Sequence, residues 1–61
     1  MEKWWGYIHV NGKLQVKRFF DQRDIDEAYE SDFVSHVFHP FFAKDREDAL
    51  AYVARQSRGG Y

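Results

Sequence analysis

The Asn11-Gly12 pair, set within the stretch WWGYIHVNGKLQVKRFF over residues 4–20, constrains this chain more than any other feature. Both residues accept the left-handed backbone that a tight turn between antiparallel strands requires, and β-branched and aromatic residues flank them on either side. Residues 3–20 therefore read as a β-hairpin, and its register decides which side chains share a face. A two-residue turn at Asn11-Gly12 pairs Val10 with Lys13 and Ile8 with Gln15, which splits the aliphatic residues between the two faces. A three-residue loop, Val10-Asn11-Gly12 with Gly12 left-handed in a bulge, sets Ile8 opposite Leu14 instead. Trp4, Ile8, Leu14, Val16 and Phe20 then lie together, and Trp5, Tyr7, His9, Lys13, Gln15, Lys17 and Phe19 form the other face. Burial of the aliphatics favours the bulged loop, whereas the two-residue turn is the commoner form, so both registers stay open at this level. The bulged one sends Trp4 to the core and leaves Trp5 at the head of an outer face.

Downstream, Asp21 is placed to cap a helix over 22–31, in which Ile25, Ala28 and Tyr29 form a narrow apolar stripe and the acidic residues face outward. The β-rich stretch DFVSHVFHPFFA predicts a third strand near 33–39; Pro40 cannot donate to a ladder, so the strand ends there or lies at a sheet edge. Asp45 and Asp48 have the spacing of a capping box and open a second helix, with Ala49, Leu50, Val53 and Ala54 on its buried face. Gly59-Gly60 stops that helix. The order ββαβα predicts an α+β fold of two layers: a three-stranded, largely antiparallel sheet with both helices on one face. A chain of 61 residues is one small domain, with a frayed tail expected over 58–61.

Size limits the core, because a domain of this length buries only about 60% of the surface its unfolded chain exposes. The chain has no cysteine to supply a disulfide or a thiolate zinc site, and aromatic residues at 20% of the composition must carry the core instead. A net charge of −1 gives no overall pull toward nucleic acid or anionic lipid. The charge is segregated, however. Lys3, Lys13, Lys17 and Arg18 against Glu2 make residues 1–20 net +3, while Asp21, Asp24, Asp26, Glu27, Glu30 and Asp32 against Arg23 make residues 21–32 net −5. No apolar run approaches the roughly 18 residues of a membrane span, and the Met-Glu-Lys-Trp start lacks the apolar stretch of a signal peptide. The expectation is a complete, cytoplasmic protein without a membrane partner.

Trp5, Tyr7, His9, Lys13, Lys17 and Phe19 are the candidate binding residues. Rings flanked by positive charge are how RNA-binding sheets stack bases, although the glycine-aromatic signature of an RNA-recognition motif is missing here. The same rings can instead cover lysine stems, or meet a protein partner or a second copy of the chain. His36 and His39 point to opposite sides of a strand, so with His9 they make no ready metal site, and none is expected. The acids of 21–32 match neither a calcium loop nor a buried catalytic pair. With no cysteine, no threonine, serines (Ser31, Ser35, Ser57) at element ends or strand positions and no glycine-rich phosphate loop, neither an enzyme nor a bound cofactor is expected. The terminal RGGY is a single Arg-Gly-Gly that matches neither an RNA-binding repeat nor a ubiquitin-type tail.

W-G-Y-I-H-x-N-G-x-L-Q-V-K-R-F from Trp5 to Phe19, with P-F-x-A-x-x-R-E-x-A from Pro40 to Ala49, resembles short uncharacterised proteins of bacteriophage and environmental microbial sequences. The resemblance implies no activity and transfers no site residue. A phage origin would fit a small modulator of host proteins. The expected function is a non-enzymatic interaction module for a protein partner or a homodimer, with single-stranded nucleic acid as the alternative ligand.

Overall fold

The computed structural model describes residues 1–59, with side chains through Ser57. Its elements are β1 (Glu2–His9), β2 (Leu14–Arg18), α1 (Gln22–Glu30), β3 (Val34–Ala43) and α2 (Arg46–Gly59). The expected ββαβα order and α+β class are present, as one three-stranded sheet in the order β2-β1-β3. Both outer strands are antiparallel to β1. They are therefore parallel to each other, and α1 is the crossover that joins them over β1. No helix of the described residues is long and apolar enough to cross a membrane.

The hairpin takes the bulged register. Ile8 pairs with Leu14, Gly6 with Val16 and Trp4 with Arg18. The Gly12 amide donates to the His9 carbonyl at 2.8 Å, and the His9 amide donates to the Lys13 carbonyl at 2.9 Å. Gly12 has φ 89°, the left-handed backbone that the bulge requires. Asn11 contributes through its side chain, whose Oδ1 accepts from the Lys13 amide at 2.9 Å.

The helices do not share a face, which corrects the two-layer expectation. Trp4, Val16, Phe38, Phe41 and Ala43 pack with Ala49 and Val53 of α2. Trp5 and Val37 pack with Ile25 and Ala28 of α1, joined by the half-buried Tyr7, Phe19 and Val34. Successive strand residues point to opposite faces, so α1 and α2 lie on opposite sides of the sheet in three layers. The physical reason is the adjacent Trp pair: Trp4 is 7% and Trp5 3% exposed, and two neighbouring strand residues can both be buried only if both faces are covered. The aliphatics gather on one face, as expected, but the aromatic face is a second core rather than an open surface.

β3 also departs from its expected end at residue 39. It runs to Ala43 at the sheet edge and carries Pro40 in its interior. Phe38 pairs with Gly6 and Phe41 with Trp4, so His39 and Pro40 together stand opposite Trp5 in a β-bulge. An edge strand can spare the missing amide. The extra residue turns Phe38 and Phe41 to the same side, where the Phe41 ring stacks on Tyr52 of α2 at 4.1 Å between centroids. A second irregularity lies between Ile8 and His9, opposite Ser35.

Both helix starts follow local chemistry. The Asp21 side chain accepts from the Arg23 amide at 3.1 Å. Asp45 accepts from the Asp48 amide at 2.8 Å, and Asp48 reaches back to the Lys44 amide at 3.2 Å, a capping box shifted by one residue on its return arm. Ile25 and Ala28 are buried as expected, whereas Tyr29 is exposed and its hydroxyl meets His39 Nε2 at 2.7 Å. Ala49 and Val53 are fully buried, with Leu50 and Ala54 half-buried beside them. The α2 backbone is helical through Gly59; the rest of the frayed tail expected over 58–61 lies outside the described residues.

Gly6 fixes how closely α2 approaches. A Cβ there would lie 2.7 Å from the Gln15 carbonyl oxygen, 3.2 Å from Val16 Cγ1 and 3.3 Å from Val53 Cγ1. The carbonyl belongs to the ladder and cannot swing away. Gly6→Ala is expected to cost about 1–3 kcal/mol through overpacking, out of a total that for small cores is roughly 3–5 kcal/mol. Urea denaturation checks it: the midpoint should fall sharply, and an unchanged midpoint would contradict this packing.

Candidate functional site

The six candidate binding residues separate into two groups. Trp5, Tyr7, His9 and Lys17 come together in an open groove of about 720 Å³ between α1 and β2, a volume within the range of ligand sites, roughly 300–1,000 Å³. Lys13 stands exposed at the hairpin turn, and Phe19 is half-buried beneath the Lys3 ammonium, 4.6 Å from the ring centroid. Neither lines the groove.

The groove follows from the crossover. α1 packs over β3 and the near side of β1, so the β2 side of the same face is left uncovered. Trp5, Tyr7 and His9 form the floor, the Trp5 and Tyr7 rings lying 5.6 Å apart. One wall is α1, which contributes Asp24, Glu27 and Ala28, with its C-cap Ser31 continuing the same stripe at i, i+3, i+4 and i+7. The opposite wall is β2, through Val16, Lys17 and Arg18. The Lys17 ammonium lies 6.0 Å from the Tyr7 ring centroid.

Trp4, Val34 and Arg46 of α2 complete the lining beside two aromatic side chains, Phe20 and Phe33. These two rings are 80% and 66% exposed. Phe20 immediately precedes the α1 cap and Phe33 follows the helix by three residues, with its carbonyl accepting from the Val10 amide at 2.9 Å. Neither stood out as a functional residue in the sequence. The available signal was their position, since a large ring just outside each end of a short helix falls outside the helix's own buried stripe.

The walls carry opposite charge, acidic on α1 and basic on β2. Among the described residues the ion pair is Arg18 with Glu2, so Asp24, Glu27 and Lys17 remain free to meet a ligand. Arg18 also lies over the Trp4 ring, 5.7 Å from its centroid, and closes the edge of the α2-side core.

The histidines are dispersed. His9 stacks on Phe33, His36 meets the edge of Phe38, and His39 bonds Tyr29 on the α1 side. No three potential metal ligands converge among the described residues.

The two indoles differ in one respect that stability measurements can read. Trp4 Nε1 donates to the Ala43 carbonyl at 3.2 Å, whereas buried Trp5 Nε1 has no partner among the described residues. An unpaired buried donor costs about 1–3 kcal/mol. Trp4→Phe loses a hydrogen bond, while Trp5→Phe removes an unpaired group, for similar changes in ring volume. Trp4→Phe is therefore expected to be the more destabilising by at least about 1 kcal/mol in denaturant titrations; equal losses would show that the two indole amines are equally satisfied. No protein-family model matches this chain, and no curated protein or solved structure shows significant similarity to it.

Proposed function

We propose that this chain is a non-enzymatic interaction module that binds another protein through the groove between α1 and β2. The observation that carries the reading is the pair of exposed rings, Phe20 and Phe33, lining a groove in which Asp24, Glu27 and Lys17 have no ion-pair partner among the described residues. Large exposed apolar side chains gathered at a concave surface mark interaction sites, and aromatic anchors dominate binding energy there. The cytoplasm suits a cysteine-free chain. A modulator of host proteins, if the origin is a phage, would need no more than such a surface.

Single-stranded nucleic acid has less in its favour. Trp5, the ring best suited to stack a base, is covered by α1, and Asp24 and Glu27 on the groove wall repel phosphate.

Selection of displayed random peptides on the folded chain tests the reading, followed by affinity measurements on a selected peptide. Phe20→Ser and Phe33→Ser should each weaken binding about tenfold, as anchor residues do. Phe42→Ser alters a ring that is also exposed but lies outside the groove, and should leave affinity unchanged. Failure to select any peptide, or binding indifferent to both groove substitutions, would overturn the proposal.

A further inference from the structure

Among the described residues the sheet has two free edges, β2 and β3, and they are built differently. β3 is interrupted twice, at Ser35 and at His39-Pro40, and proline removes one of its amides. Bulges and proline are the devices by which a strand edge is made unfit for pairing. β2 has neither. Its pairing with β1 is regular from Leu14 to Arg18.

The direction of its backbone groups follows from the ladder. The His9 amide donates to Lys13 and the Phe19 amide to Lys3, so the odd-numbered positions of this strand turn their amides and carbonyls toward β1. Leu14, Val16 and Arg18 therefore turn theirs outward, along an edge that also forms the β2 wall of the groove. Side chains on this strand alternate as well. Lys13, Gln15 and Lys17 lie on the α1 face, and Leu14 and Val16 on the α2 face, where they join the core around α2.

We infer that β2 accepts an extended segment of a partner protein as a fourth strand, and that this segment is acidic on the face beside Lys13 and Lys17 and apolar on the face beside Leu14 and Val16. The inference rests on the protein-binding reading of the groove and names its partner's chemistry. Residues 10–20 contain three cations and no acid, and Arg18 is held by Glu2, which leaves Lys13 and Lys17 as the charges of this segment with no ion-pair partner among the described residues. Opposite charges directly across a strand pair attract and like charges repel. The same positive charge disfavours a second copy of β2 as the occupant, because the two edges would meet with lysines and arginines only. Main-chain bonds supply affinity in this mode of recognition, and alternate side chains supply the selectivity.

Hydrogen exchange on the full chain, read by NMR at the amides of Leu14, Val16 and Arg18, tests the inference with two synthetic peptides, acetyl-EVEVEV-amide and acetyl-KVKVKV-amide. Under conditions of about tenfold excess over the dissociation constant, EVEVEV should slow exchange at these three amides about tenfold. Val37 and Phe42 on β3 should be unaffected, and KVKVKV should protect nothing. Lys17→Glu, a substitution at an exposed position, should weaken EVEVEV about tenfold and strengthen KVKVKV. Equal behaviour of the two peptides, or no protection of the three amides at millimolar EVEVEV, would overturn it. Protection of the same amides in a dimer without peptide would also overturn it, in favour of a second copy. If the amides stay unprotected while Phe20→Ser and Phe33→Ser still weaken a selected peptide, strand addition alone fails. If no selected peptide depends on those rings, the groove reading fails with it.

Discussion

Two indoles side by side in the central strand set the architecture. Trp4 and Trp5 point to opposite faces of β1, each with some 150–250 Å² to bury, and both are withdrawn from water. A three-stranded sheet with one covered face could satisfy only one of them. The chain has two helices and spends one on each face: α2 closes over Trp4 and α1 over Trp5. Each resulting core is small, and the largest fully buried side chain is Val53 on one side and Ile25 on the other. Full burial of such a side chain is worth about 1.5–3 kcal/mol.

Several otherwise odd features serve that two-sided arrangement. The absence of a side chain at Gly6 lets Val53 settle on the middle of the sheet. The bulge at His39-Pro40 brings Phe38 and Phe41 to the same face, where an unbroken strand would have sent one of them to each side. The three-residue hairpin loop keeps Ile8, Leu14 and Val16 with Trp4, and so reserves the opposite face for rings. A groove is the remainder. A nine-residue helix crossing from β2 to β3 over one face of a three-stranded sheet covers the β3 side and leaves the β2 side open.

What could be read from the sequence was the chemistry that acts over a few residues. The hairpin, the left-handed Gly12, the Asp21 cap and the Asp45–Asp48 pair depend on local hydrogen bonds, and the structure contains each of them. The placement of α1 was not local. Its stripe of Ile25 and Ala28 is too narrow to announce a core, and the surface it covers is aromatic and basic, a composition that serves a binding face equally well. Tyr7 and Lys17 kept a place at the groove for that reason, whereas Trp5 became its buried floor. Phe20, expected on the core face with Trp4, is 80% exposed because β2 ends at Arg18, and Phe33 drew no attention because its exposure depends on where the preceding helix lies. Pro40 left two alternatives, a strand end or an edge strand, because a bulge in an edge strand leaves the same trace in the sequence as a strand's end; β3 lies at the edge and runs past residue 39 to Ala43.

The account stands on the two helices lying on opposite sides of β1, and nuclear Overhauser contacts from the indole rings report on this directly. Trp5 ring protons should show contacts to the methyl groups of Ile25 or Ala28, and Trp4 ring protons to those of Ala49 or Val53. Contacts from both indoles to α2, with none from Trp5 to α1, would contradict it and return the fold to a sheet covered on one face.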